Sequence, residues 1–189
     1  MNSEEILKVV GTGVVAAALT VGLTWLKETL SARRTRIYSA IQVAVALERF
    51  ALACSSELAA NNLTNQQLPP GEEETIPPSF PDFPSYPPDV DWKSLPPDLM
   101  AEAIAMANDV ENKRQNLTFL WNATGDADDY SLISIQRIAE TAIFSIDLAK
   151  KLRSGVRTTF NLERERMYLE GVRHSSEKRF KDRGGADFG

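Results

Sequence analysis

The sequence predicts an all-α protein: an N-terminal single transmembrane helix continuing into a three-helix antiparallel bundle with a long proline-rich insert. Three observations carry this. Val9 to Leu26 is an eighteen-residue run without a charge. All ten prolines fall between Pro69 and Pro97, leaving the rest of the chain free to be helical. Outside the insert, apolar residues recur at three- and four-residue intervals, and no run reads as a strand. The implied divisions are a membrane anchor helix over 1–30, a first bundle helix over 31–62 and the insert over 63–97. A helical hairpin over 98–175 completes the bundle, and a basic, disordered tail occupies 176–189.

The anchor comes first. At ~1.5 Å per residue the uncharged run reaches roughly 27 Å, close to the hydrocarbon thickness of a bilayer. Nine of its eighteen residues are Val, Leu or Trp and the rest are Ala, Gly and Thr, so a buried core helix is the competing reading. Glu4, Glu5 and Lys8 precede the run; Lys27, Arg33, Arg34 and Arg36 come after it, with Glu28 the sole acid among them. The basic excess on the C-terminal side puts the C-terminal domain in the cytoplasm, with membrane lipid as the first partner. A cleaved signal fits poorly, because such signals open with positive charge. Trp25 suits the membrane–water interface. Gly13 with Ala17, and Ala18 with Gly22, are small-x-x-x-small pairs through which two copies could approach and homo-oligomerise.

The first bundle helix, from Arg33 to Asn61, holds no Gly or Pro. Ile37, Ile41, Ala44, Val45, Leu52 and Leu58 supply its apolar positions, and Asn61-Asn62 a stop. The second helix opens at Pro97 or Asp98, where proline and an acid suit a first turn. Leu99, Ala103, Met106, Val110, Leu117 and Trp121 form its stripe, ended by Thr124-Gly125. The third begins at Asp126 or shortly after. Its stripe runs from Leu132 through Ile138, Ile146 and Leu152 to Phe160, with a solvated extension beyond. Asp126-Ala127-Asp128-Asp129 is read as helix capping. A calcium loop starting at Asp126 would need glycine at Ser131 and a carboxylate at Arg137.

Within the insert, Ser79-Phe80-Pro81, Asp82-Phe83-Pro84 and Ser85-Tyr86-Pro87 repeat polar, aromatic, proline. Polyproline II has three residues per turn, so Phe80, Phe83 and Tyr86 line one edge of an extended rod. That edge, with Trp92 tying its far end, either docks a protein partner or covers the chain's own bundle. The insert is expected to stay at the end of the bundle far from the membrane, which sets the second helix antiparallel to the first. A returning insert would instead bring the end of the third helix against lipid headgroups.

The chain has 189 residues and a net charge of −5 that hides an asymmetry. Ser55 to Asp129 carries fourteen acids against three bases; Lys150 to Arg183 carries eleven bases against five acids. Arg173, Lys178, Arg179, Lys181 and Arg183 form a candidate basic surface, and mutual pairing with the acidic middle is its simplest use. Nucleic acid is not an expected partner. One cysteine, Cys54, and one histidine, His174, exclude an internal disulfide and the usual zinc sets, and no cofactor is expected. Asn62-Leu63-Thr64, Asn116-Leu117-Thr118 and Asn122-Ala123-Thr124 match the glycosylation acceptor pattern, but a cytoplasmic domain leaves them unused. No phosphate-binding glycine loop, nucleophile elbow or HExxH occurs. The expected function is therefore binding: a membrane-anchored scaffold, adaptor or subunit of a membrane complex. The alternatives are an oligomerising effector that perturbs the bilayer, and a soluble helical protein or enzyme whose N-terminal helix is core.

Overall fold

The computed structural model describes the backbone of residues 3–68, 76–124, 127–154 and 161–183, and side chains within these from residue 21 onward, except 123 and 124. Among the described residues every regular element is helical, without strands: α1 (Ser3–Gln66), a 3-10 turn at Trp92–Ser94, α2 (Pro97–Thr124), α3 (Ala127–Leu152) and α4 (Glu163–Asp182). The segments expected as anchor and first bundle helix are one uninterrupted helix of 64 residues, about 96 Å long at 1.5 Å per residue.

The core is built on the C-terminal half of α1. Ala40, Val43, Ala44, Leu47, Phe50, Ala51, Cys54 and Leu58 are buried there, the 3–4 spacing of a helix face covered by neighbours. Leu52, expected in the stripe, lies at its exposed margin. From α3 come Ile138, Ala142, Ile146, Ala149 and Leu152, interleaved with buried Ser134, Thr141 and Ser145. These small side chains let α1 and α3 approach closely. Ala103, Met106, Val110 and Leu117 of α2 close a second side.

Polar contacts fix the directions. Lys151 Nζ meets Glu102 at 2.9 Å and Lys113 Nζ donates to Thr141 Oγ1 at 3.1 Å, so α3 runs antiparallel to α2. Arg153 donates to both oxygens of Glu48, at 2.6 and 2.7 Å, while Ser131 and Leu132 share a cleft with Leu58 and Asn61; α3 is thus antiparallel to α1. α2 therefore runs parallel to α1, not antiparallel as expected.

The insert makes this possible by travelling back down α1. Asn65 accepts from the Ile76 amide and donates to its carbonyl, and Asn61 donates to the same carbonyl at 2.7 Å. Glu57 then accepts from the Ser79 amide and hydroxyl, Phe83 packs on Phe50, and Asp89 accepts from Gln42. Finally the Asp91 amide donates to Ser39 Oγ. An extended segment has no ladder partner of its own, so α1 side chains satisfy its backbone.

The C-terminal helices also differ from expectation. The third helix stops at Leu152, and α4 folds back antiparallel along it: Lys150 meets Glu163 at 2.7 Å, Arg166 meets Asp147 at 3.1 Å and Arg183 meets Asp128 at 2.6 Å. Leu169 is fully buried, so α4 is a packed fourth helix, not a solvated extension. The expected Val156–Phe160 part of the α3 stripe lies outside the described residues, as do the Gly125-Asp126 junction and the tail from Gly184.

Candidate functional site: the exposed stem of α1

Bundle packing begins only at Ile37, Ser39 and Ala40. Before that, every described side chain from Val21 to Arg36 is exposed. Val21 is 69% exposed, Leu23 66%, Trp25 67%, Leu26 48% and Leu30 47%, so large apolar groups stand free of the chain's own core. At about 100° per residue, Val21 and Trp25 fall on one side of the helix and Leu23, Leu26 and Leu30 on the other. An amphipathic surface helix would gather them into one stripe; apolar residues all round are the pattern of a helix enclosed either by protein or by a membrane. Thr29 Oγ1 donates to the Trp25 carbonyl at 2.8 Å, satisfying that hydroxyl inside the helix.

One described helix near the N-terminus is long and apolar enough to span a membrane, and just over half, 56%, of its most apolar window is buried in the bundle. That window lies within Val21–Gln66 and includes bundle core, since the described side chains begin only at Val21. Length and composition of this kind are shared by core helices and signal sequences. The exposed stem below the bundle is a separate feature. Of the four small residues placed at a helix-packing face, Gly22 is described and open, with no atom within 4 Å of an added Cβ. Gly13, Ala17 and Ala18 lie outside the described side chains.

The aromatic edge of the insert faces inward. Phe80, Phe83, Tyr86 and Trp92 all pack against the core. Phe50, Phe83, Tyr86 and Trp92 form a chain of tilted and edge-on rings, each step 5.2 Å between centroids. The Tyr86 hydroxyl donates to the Ala103 carbonyl at 2.7 Å, and burial pushes its phenol above the ordinary tyrosine range. These four residues, each partly buried, thus pack on their own bundle, where full exposure would leave large apolar area in water.

The basic surface lies on the C-terminal half of α4, beside the end of α1 farthest from the stem. Arg173, Lys178 and Arg179 are exposed. Lys181 pairs with Glu177 at 2.8 Å, holding that carboxyl below its ordinary range. Arg183 reaches Asp128 at 2.6 Å and Asp129 at 3.9 Å. Part of the charge asymmetry is therefore spent within the molecule, where the acids that open α3 meet the base that closes α4.

A cleft of about 730 Å³ separates the end of α1 from α3 and α4, lined by Leu58, Asn61, Leu132, Ile135, Tyr168 and Val172 among others. Ser131 in its wall is buried with no hydrogen-bond partner for its hydroxyl. Sequence reading missed this cleft, since its walls come from three helices and its polar members carry no motif. Among the described residues, no three His, Cys, Asp or Glu side chains gather as a metal site. Cys54 is buried, and desolvation pushes its thiol up to about 12, which removes it as a nucleophile. Comparison with family models, with curated proteins and with solved structures finds no match to this chain.

Proposed function

We propose that this chain is a single-pass membrane-anchored protein whose helical bundle stands in the cytoplasm and works by binding, as a scaffold, adaptor or subunit of a membrane complex. The observation that carries the reading is the stem. An apolar helix continuous with the bundle leaves Val21, Leu23, Trp25 and Leu26 uncovered by the protein itself. Water is a costly environment for so many large apolar groups at about 25 cal/mol per Å². A bilayer removes that cost, and the uncharged run from Val9 has the length to cross one. The bases after Leu26 favour the cytoplasmic side for the bundle.

Binding, as opposed to catalysis, is supported by the surface of the bundle. Phe119 is 71% exposed beside a groove that also contains Ile133 and Phe180. Exposed aromatics of this kind suit contact with another macromolecule.

Carbonate washing of cell membranes tests the anchor. The full chain is expected to stay with the membrane pellet, whereas a chain beginning at Arg33, which keeps every core residue, is expected in the supernatant. Release of the full chain by the wash would overturn the reading.

A further inference from the structure

We infer that the stem carries a binding site for anionic phospholipid: a collar formed by Lys27, Arg33, Arg34 and Arg36, immediately below the bundle. The inference rests on the membrane reading and names the lipid class that the reading leaves open. Three observations lead to it.

First, the four bases are uncommitted. Each is exposed, and among the described residues none has an ion-pair partner, although most bases elsewhere in the bundle pair with acids. Second, they wrap the helix. At about 100° per residue, Arg33 and Arg36 project on one side while Lys27 and Arg34 project on the other. A protein or nucleic acid docking from one direction would meet only part of such a ring. Headgroups surround an emerging helix and can meet all of it. Third, the level is right. The collar starts one residue after Leu26, the last residue of the uncharged run, and ends one residue before Ile37, where bundle burial begins. It extends about 14 Å at 1.5 Å per residue, and long basic side chains can reach down to a phosphate from its upper part. The other basic cluster, on α4, lies at the opposite end of the bundle, so the collar is the charge available to the membrane.

The chemistry is charge-assisted hydrogen bonding. Arginine presents a planar fork of donors that matches phosphate oxygens, and lysine adds a compact point charge. Each base held near an anionic surface favours it by about fivefold.

Trp25, two residues before Lys27, reports the lipid at this level. With Trp92→Phe and Trp121→Phe it becomes the sole tryptophan, and both changes keep an aromatic ring at the site. The full-length chain is reconstituted in vesicles holding equal mole fractions of brominated phosphatidylglycerol or brominated phosphatidylcholine. Greater quenching by the anionic lipid is expected, corresponding to a local enrichment of about fivefold or more. The excess should collapse at ~1 M salt, where the Debye length is about 3 Å. It should also collapse in the K27Q/R33Q/R34Q/R36Q variant, whose quenching by brominated phosphatidylcholine verifies that it still inserts. Equal quenching by the two lipids at low salt, in a chain that inserts, would overturn the collar and leave the anchor standing. No quenching by either lipid would overturn both.

Discussion

Cys54 lies between Ala51 and Leu58 on the face of α1 that the bundle covers, and its thiol is held near 12 by burial. A thiol reagent at pH 8 should therefore react only with unfolded chain, at a rate that tracks denaturant concentration. The folded value lies above the ordinary one, so the neutral thiol's contribution to stability is complete below about pH 9 and is lost as pH rises toward 12. Tyr86 adds in the same direction. Alkaline melting curves should thus fall from about pH 9, and less steeply in Cys54→Ala than in the parent. Glu48 and Arg153 make a different kind of contact: a two-point ion pair, 9% and 13% exposed. Glu48→Gln leaves the guanidinium short of its counter-charge and should cost up to about 3 kcal/mol by chemical denaturation. Replacing both partners by methionine should recover much of that loss, as apolar packing replaces the pair. Cys54 was legible as a buried small residue from its alanine-rich surroundings. The ion pair was not, because its partners are 105 positions apart and neither belongs to a pattern.

At the scale of elements, α4 is the sharpest departure from the sequence reading. The apolar positions just before and within its first half, Leu162, Met167 and Leu169, are thin among alternating Glu and Arg, which made a solvated extension the natural expectation. The break was written nearby: Lys150, Lys151 and Arg153, then Ser154-Gly155, have the composition of a helix end. Leu169→Ala, at a position with no exposure, should cost about 2–5 kcal/mol. Met167→Ala, 70% exposed on the same helix, should fall within about 0.5 kcal/mol of the parent. Equal small losses at both positions would mean that α4 is not docked. The insert behaves in the opposite way. Its three-residue aromatic period was legible, but whether the edge faced a partner or the bundle depended on Phe50, Ala103 and the polar side chains of α1. Tyr86→Phe removes one hydrogen bond and should cost about 0.5–1.5 kcal/mol. Replacing Phe80, Phe83 and Tyr86 together by Ser should lower the melting temperature by many degrees with no partner present.

Across the whole molecule, two departures from expectation offset each other. The insert returns toward the stem, so α3 ends on the stem side of the bundle; the fold-back of α4 carries the described chain away from the stem again. The basic end of α4 consequently lies beside Asn61 and Asn65, 25 or more residues of α1 beyond the collar. Neither turn could be read from hydrophobic periodicity, which reports which face of a helix is covered but not the direction of its neighbour. The helical class and the uncharged run were legible because both are local in sequence. The anchor reading makes one sharp claim: the bilayer boundary crosses α1 between Leu26 and Arg33. Spin labels placed singly at Val21, Leu23, Leu26, Leu30, Arg34 and Tyr38 of the reconstituted full chain locate that boundary directly. Collision with oxygen should dominate at Val21 and Leu23, and collision with a water-soluble nickel complex should take over between Leu26 and Arg34. Nickel accessibility that is uniformly high from Val21 to Tyr38 would contradict the anchor, because the stem would then stand in water.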